Sequence, residues 1–366
     1  MSGTSVDGID SALVRCRGNT VTIVATHQHE IPLDLKKRIA ALSHSGEDEI
    51  ERLGVLDREL GRLFAEATIE LLAVALTQPT QVKAIGSHGQ TIRHRPPSAA
   101  NRAIESFTLQ IGDPSTIAEY TGITTVADFR RRDIAAGGEG APLAPAFHAA
   151  SFAAAGVNRA IVNVGGIANI SLLEGPELRM GFDTGPGNTL LDHWILKHRN
   201  DHFDLNGEWA ASGHVNQALL ARLSAHTFFK KTGPRSTGKE EFNLAWLEGQ
   251  LAGLEPIAAV DVQTTLVELT TSSIANAINN CPFKIAEIYV CGGGSHNSHL
   301  MRRLAAHLAP ATIESTAAIG MDPDWVEAAT FAWLASRTLD GLTGSAPVVT
   351  GANGTRILGG IYPGTT

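Results

Sequence analysis

Three cysteines in 366 residues, Cys16, Cys281 and Cys291, without any Cys-x-x-Cys spacing, give no basis for a disulfide framework or a cysteine zinc site. They fit reduced, buried thiols. No apolar run reaches the ~20 residues that a membrane span needs. Positive charge is not in excess either: 29 Lys and Arg face 37 Asp and Glu, and the formal net charge is -8. That balance argues against a general nucleic-acid binder, which carries a basic face. The fourteen histidines show no His-Glu-x-x-His or other metal spacing, which argues against a zinc site. Met1 leads straight into a Gly/Ser/Asp turn, so nothing there reads as a signal peptide. These absences predict a soluble cytoplasmic globular protein that binds neither membrane nor nucleic acid. Apolar material is plentiful, with 43% hydrophobic residues against 18% charged. The length allows two domains of ~150 residues each.

The stretch with the sharpest chemical character is Gly181-Phe182-Asp183-Thr184-Gly185-Pro186-Gly187-Asn188. A short strand ending at Met180 precedes it. Leu190, Leu191, Trp194 and Ile195 then recur at helical spacing. The pattern predicts a strand-to-helix turn with one carboxylate at its sharpest point, and with Pro186 in the first helical turn. An Asp held rigidly in such a turn suits a general base; the plainer alternative is a helix cap.

Read in order, the chain opens on Gly3-Thr4-Ser5-Val6-Asp7-Gly8-Ile9-Asp10, a polar turn leading into a hairpin of strands 11–16 and 21–26. Such a turn can wrap a phosphate with amides and hydroxyls, or be an ordinary hairpin turn. A phosphate turn should follow a buried strand, and only Met1 and Ser2 stand before Gly3. The expectation is that this strand lies upstream or is missing. Helices are predicted over 33–42 and 48–76, the second with an apolar stripe from Ile50 to Leu71. Strand 82–86 ends in Ser87-His88-Gly89-Gln90-Thr91, at the strand end where ligands sit in α/β sheets. Asp113-Pro114 starts a helix, and 123–126 is a further strand.

Arg130-Arg131-Arg132, after that strand, could grip an anion or be a solvated charge run balanced by Asp128 and Asp133. Composition shifts there, which places a domain boundary near residue 128. The second half repeats the strand, glycine turn, strand pattern around Gly165-Gly166. Gly233 to Lys239 matches most of a P-loop, but Glu240 stands where a Ser or Thr should reach magnesium, so it is rejected. Arg235 and Lys239 are read as surface charge or loop contacts. A helix over 262–278 and a strand over 285–290 lead to Gly292-Gly293-Gly294 and a helix over 297–308. Bare backbone there could support a flat nucleotide, or the glycines could serve only tight packing. Glu327 falls in the first turns of the last clear helix, which begins at Asp322-Pro323.

In their order along the chain, these blocks resemble the sugar-kinase, chaperone and actin superfamily, and within it the anhydro-N-acetylmuramic acid kinases. The resemblance rests on Met1 to Asp10, Gly86 to His94, Ala127 to Asp133, Gly137 to Leu143, Asn163 to Asn169, Gly181 to Asn188, Pro234 to Gly238 and Val290 to Gly294. It implies two related α/β lobes, 1–128 and 129–366, each a mixed sheet flanked by helices, with the active site in the cleft between them. It implies an ATP-dependent opening of 1,6-anhydro-N-acetylmuramic acid by water, with phosphorylation of the freed 6-oxygen, in cell-wall recycling. Asp183 would be the base. The Gly3–Asp10 turn and Gly165-Gly166 would hold phosphates, and Gly292, Gly293 and Gly294 would lie beside the adenosine. Asp7, or Asp10, would anchor Mg2+ through water. His88, Gln90, Arg130 and Glu327 would meet the sugar. A homodimer is compatible with this picture. A kinase for another sugar, and a non-catalytic sensor of the muramyl sugar or ATP, are the rival readings.

Overall fold

The computed structural model describes every residue except 4, 5, 7, 101, 102, 232–234 and 366, with Ala103 described by its backbone alone. Among these residues the strands run, in chain order, β1 (Gly8–Arg17), β2 (Thr20–Glu30), β3 (Ile85–Gly86), β4 (Gln90–Arg95), β5 (Phe107–Ile111), β6 (Thr125–Ala127), β7 (Arg159–Val164), β8 (Ile167–Glu174), β9 (Glu177–Pro186), β10 (Glu287–Cys291), β11 (Thr312–Ser315) and β12 (Gly360–Tyr362). Helices separate many of them, giving the mixed α/β class that the sequence predicts. The chain divides into two compact units, Met1–Ser151 with Trp325–Thr366, and Phe152–Asp324. The composition shift near residue 128 thus marks a change of element inside the first unit. The helix carrying Glu327 belongs to that unit as well.

In the first unit β1 and β2 form an antiparallel hairpin with a register shift between Leu13 and Val14. The strands are longer than their apolar cores suggested, so Gly8, Ile9 and Asp10 already lie inside β1. A three-stranded sheet has the order β12-β6-β3, and β4 pairs with β5. Helix Glu49–Val74 buries Leu56, Leu60, Phe64, Ala67 and Leu71, the expected stripe of period 3.6 from Leu56 onward, whereas Ile50 at its expected start is 83% exposed. These pack with Ile9, Ile31, Ile39, Ile92 and Ile111 in one cluster. Gly86 lets helix Val326–Leu339 approach β3 closely, since a Cβ there would stand 2.1 Å from the Phe331 carbonyl oxygen.

The second unit holds a five-stranded sheet of order β11-β10-β7-β8-β9. β11, β10 and β7 are parallel; β8 runs against both β7 and β9. Helix Ala259–Asn279 is buried along most of its length, and its threonines satisfy themselves on the preceding turn. The Thr265 hydroxyl donates to the Asp261 carbonyl at 2.6 Å, and that of Thr271 to Val267 at 3.0 Å. Thr270 instead donates to the Pro186 carbonyl at 2.9 Å, which pins the end of β9 to this helix.

Candidate active site

Asp183 lies within β9, opposite Asn169 on β8 and next to a bulge between Ala168 and Asn169. It is neither at the sharpest point of a turn nor a helix cap. The sharp turn comes at Gly185–Gly187, and helix Asn188–Arg199 has Gly187 at its N-cap without a side-chain cap. Pro186 closes the strand instead of opening the helix. The Asp183 carboxylate, half-buried, accepts the Thr237 amide at 2.9 Å. The Asp183 amide donates to the Arg235 carbonyl at 3.0 Å, and Arg235 Nε returns a bond to the Asp183 carbonyl at 3.0 Å. The Arg235 guanidinium stands over the rings of Phe182 and Phe228, 5.2 and 5.1 Å from their centroids.

Burial pushes the Asp183 carboxyl up to about 7, against the downward pull of the Thr237 amide and of Arg235. A carboxyl tuned there is poised to take a proton near neutral pH. The segment rejected as a P-loop therefore has a role after all: Arg235 and Thr237 hold the candidate base. The sequence signal was the Pro234-to-Gly238 block itself, whose position in space only the fold supplies; Pro234 lies outside the described residues.

β7, β9 and β10 run in one direction, so their carboxyl ends share one edge of the sheet. The Gly165-Gly166 turn follows β7. Its carbonyls accept the first amides of helix Asn188–Arg199: Asn188 to Gly165 at 2.8 Å, Gly187 and Thr189 to Gly166 at 2.9 and 3.1 Å. A Cβ on Gly187 would stand 2.3 Å from the Gly165 carbonyl oxygen, so glycine is required there by close approach. Any phosphate contact from this turn falls to its own N–H groups. After β10, a Cβ on Gly292 would meet Asn163 Oδ1 at 2.5 Å, and one on Gly294 would meet Val164 Cγ1 at 2.3 Å. Packing thus explains two of the three glycines. Gly293 is exposed, with nothing closer to such a Cβ than Asn188 Nδ2 at 3.6 Å, and is the bare backbone a flat ligand needs.

The first unit brings together residues far apart in sequence. Arg130 Nε donates to His88 Nε2 at 3.0 Å, and Arg130 Nη1 to the Gly140 carbonyl at 2.8 Å. Because Arg130 only donates, the His88 proton sits on Nδ1, 2.9 Å from the Gly89 carbonyl. Burial, then Arg130, holds the His88 pKa well below its usual value, so the ring is neutral. Phe331 packs on this ring at 4.6 Å between centroids. Burial draws Arg130 down to about 10, with Glu327 and Asp133 raising it, so it stays charged at neutral pH.

Glu327 is open to solvent but deep among protein groups, which raise its pKa; Arg130 opposes that shift and the Asp10 charge adds to it. Asp10 accepts from Gln28 Nε2 at 3.2 Å. Gln90 is buried, and among the described residues neither its side-chain oxygen nor the buried Ser87 hydroxyl has a hydrogen-bond partner. The arginine run divides: Arg130 turns inward, Arg131 pairs with Asp128 at 3.4 Å and Arg132 is exposed. Asp133 balances no exposed run; it is buried and accepts the Gly140 amide at 2.8 Å and the Thr350 hydroxyl at 2.9 Å. Of the opening turn, Thr4, Ser5 and Asp7 lie outside the described residues, which removes the named metal anchor from view. The Val6 amide donates to the Gly3 carbonyl at 3.2 Å.

No described helix is long and apolar enough to cross a membrane. A family model described as anhydro-N-acetylmuramic acid kinase matches residues 1–364. An anhydro-N-acetylmuramic acid kinase of Shewanella sp. (strain ANA-3) is 52% identical over 363 residues, covering 99% of this chain and 97% of that protein. One of Pseudomonas paraeruginosa (strain DSM 24068 / PA7) is 51% identical over the same coverage. Among solved structures, the activator of the 2-hydroxyisocaproyl-CoA dehydratase from Clostridium difficile is a loose likeness, with 11% identity, a TM-score of 0.43, and 88% of this chain and 92% of that chain covered. On the family match and the two relatives, the chain belongs to the anhydro-N-acetylmuramic acid kinase family and is an ATP-using enzyme.

Proposed function

We propose that the chain opens 1,6-anhydro-N-acetylmuramic acid with water and phosphorylates the freed 6-oxygen from ATP, giving N-acetylmuramic acid 6-phosphate. The observation that carries this reading is the state of Asp183: a half-buried carboxyl raised to about 7, oriented by the Thr237 amide and not spent on a helix cap. Asp183 takes a proton from water as the water oxygen bonds to the anomeric carbon. The carbon–oxygen bond of the anhydro bridge breaks, and the departing 6-oxygen attacks the γ-phosphorus, releasing ADP. Water has to lose its proton in this sequence, which is why one well-placed carboxyl suffices.

Arg130, charged and held by His88 and Gly140, suits the lactyl carboxylate of the sugar. Glu327, with its raised pKa, and the Gln90 oxygen, without a partner among the described residues, suit sugar hydroxyls. The amides of the Gly3–Asp10 turn and of Gly165-Gly166 are assigned to phosphate, and Gly293 with its neighbours to the adenosine. Arg130 and the N-terminal ammonium already offset the repulsion between Asp10 and Glu327. Asp10 is assigned to magnesium, held through water, as the carboxylate of the opening turn that falls within the described residues. The ion's part is to neutralise phosphate charge.

Sugar-dependent ADP release is the test. The anhydro sugar must release ADP, while N-acetylmuramic acid and ordinary hexoses release little. Equal rates with a hexose would make the chain a kinase for another sugar. Binding without ADP release would make it a sensor.

A further inference from the structure

On β2, His27 and His29 are two residues apart and share one face of the strand. Helix Glu49–Val74 places Glu70 against them. His27 Nε2 lies 2.8 Å and His29 Nδ1 2.7 Å from the same Glu70 oxygen, Oε2, and the three ligand atoms all fall within 4.8 Å of one another. Both imidazoles are half-buried and so held in place, while Glu70 faces solvent and leaves an entry path. Hydrogen bonds from His29 and then His27 keep the Glu70 carboxylate below its ordinary range, so it is charged. Gln28, between the histidines, turns to the other face and reaches Asp10. The histidines thus face away from the Asp10 carboxylate, although His29 pairs with Ile9 across the hairpin. The sequence pattern hides it because the third group arrives from a helix 41 residues beyond His29.

We propose that His27, His29 and Glu70 form a binding site for a zinc-class divalent transition metal, with water as the remaining ligand. Two imidazole nitrogens and one carboxylate oxygen are the donor set of three-ligand zinc sites. Magnesium and calcium prefer all-oxygen shells, so the site does not duplicate the kinase's own cation. The two nitrogen–oxygen contacts need to widen only slightly. Bonds of ~2.0–2.1 Å in a tetrahedron hold ligand atoms about 3.3 Å apart, roughly half an ångström wider than the present contacts. Each ring nitrogen facing the carboxylate binds the metal through its lone pair, so any proton it carries is given up as the metal bond forms. The bound ion ties β2 to helix Glu49–Val74.

The test is titration of the full chain with zinc against a chromophoric indicator, in excess magnesium. The expected result is one zinc per chain that magnesium does not displace. Glu70→Gln and His29→Gln should each weaken it by more than about tenfold, a loss that even outer-shell partners of a metal can cause. His214→Asn, on an exposed histidine elsewhere, should leave it unchanged. ATP turnover without zinc should be the same in all three variants. On the unmodified chain, nitrogen-resolved spectra should show zinc shifting two imidazoles together. Failure to retain zinc, equal affinity in Glu70→Gln and His29→Gln, or shifts confined to other histidines would overturn the proposal.

Discussion

At Asp183 one property underlies both the proposed chemistry and a cost in stability. Its pKa of about 7 in the folded chain sits above the 3.8 of a free Asp side chain. Between those values the folded chain keeps a proton that the unfolded chain has lost, so this group's contribution to stability falls as pH rises through that window. Asp183→Asn removes the buried charge and should melt higher than the parent at pH 8, with the two converging near pH 4. The same substitution should leave ATP and sugar binding nearly intact and lower turnover by ~100-fold or more. Calorimetry and initial rates on one pair of proteins check both statements. In the parent, turnover should fall with unit slope as pH drops below about 7, where the base becomes protonated. A profile flat through that region would remove Asp183 from the role.

Glycines set the geometry of the elements around that carboxylate. Gly187→Ala forces a methyl to within 2.3 Å of the Gly165 carbonyl, and backbone cannot step aside as a side chain can. The expected cost is roughly 1–3 kcal/mol, the usual range for overpacking, with weaker ATP binding because the Gly165-Gly166 turn is displaced. Gly165→Ala, whose added methyl would meet nothing nearer than 3.7 Å, should fold almost as well as the parent. Denaturant melts of the two variants decide this; equal midpoints would mean that the turn yields easily.

This is also the scale at which sequence and structure differ. The stripe of helix Glu49–Val74 and the Asp113 cap on helix Pro114–Thr121 were legible, because period and capping are local. β11 and β12 were not, since a strand of three or four residues is defined by its partner. Asp183 was found as a residue but misplaced by element: Gly185 and Gly187 signalled the turn, and only pairing with β8 shows that the strand runs on to Pro186. Likewise the bond from Arg130 to His88 joins residues 42 apart, and no spacing rule covers it.

Over the whole chain, each unit carries a separate share of the proposed ligands. The groups assigned to the sugar, Gln90, Arg130 with His88 behind it, and Glu327, fall in the first unit, while Asp183 and the glycine turns assigned to the adenosine side fall in the second. Anhydro sugar alone should therefore slow amide hydrogen exchange around 87–91 and at the start of helix Val326–Leu339. An ATP analogue alone should protect 163–167 and 291–295. Protection of the opposite sets would exchange the two assignments. The central claim, that water opens the ring while the sugar's own oxygen takes the phosphoryl group, is tested most directly in heavy-oxygen water. Early product, read before the free anomeric centre exchanges oxygen with solvent, should carry one heavy oxygen on the anomeric carbon and none in the phosphate. Product with no heavy oxygen at that carbon, formed with full release of ADP, would contradict the account.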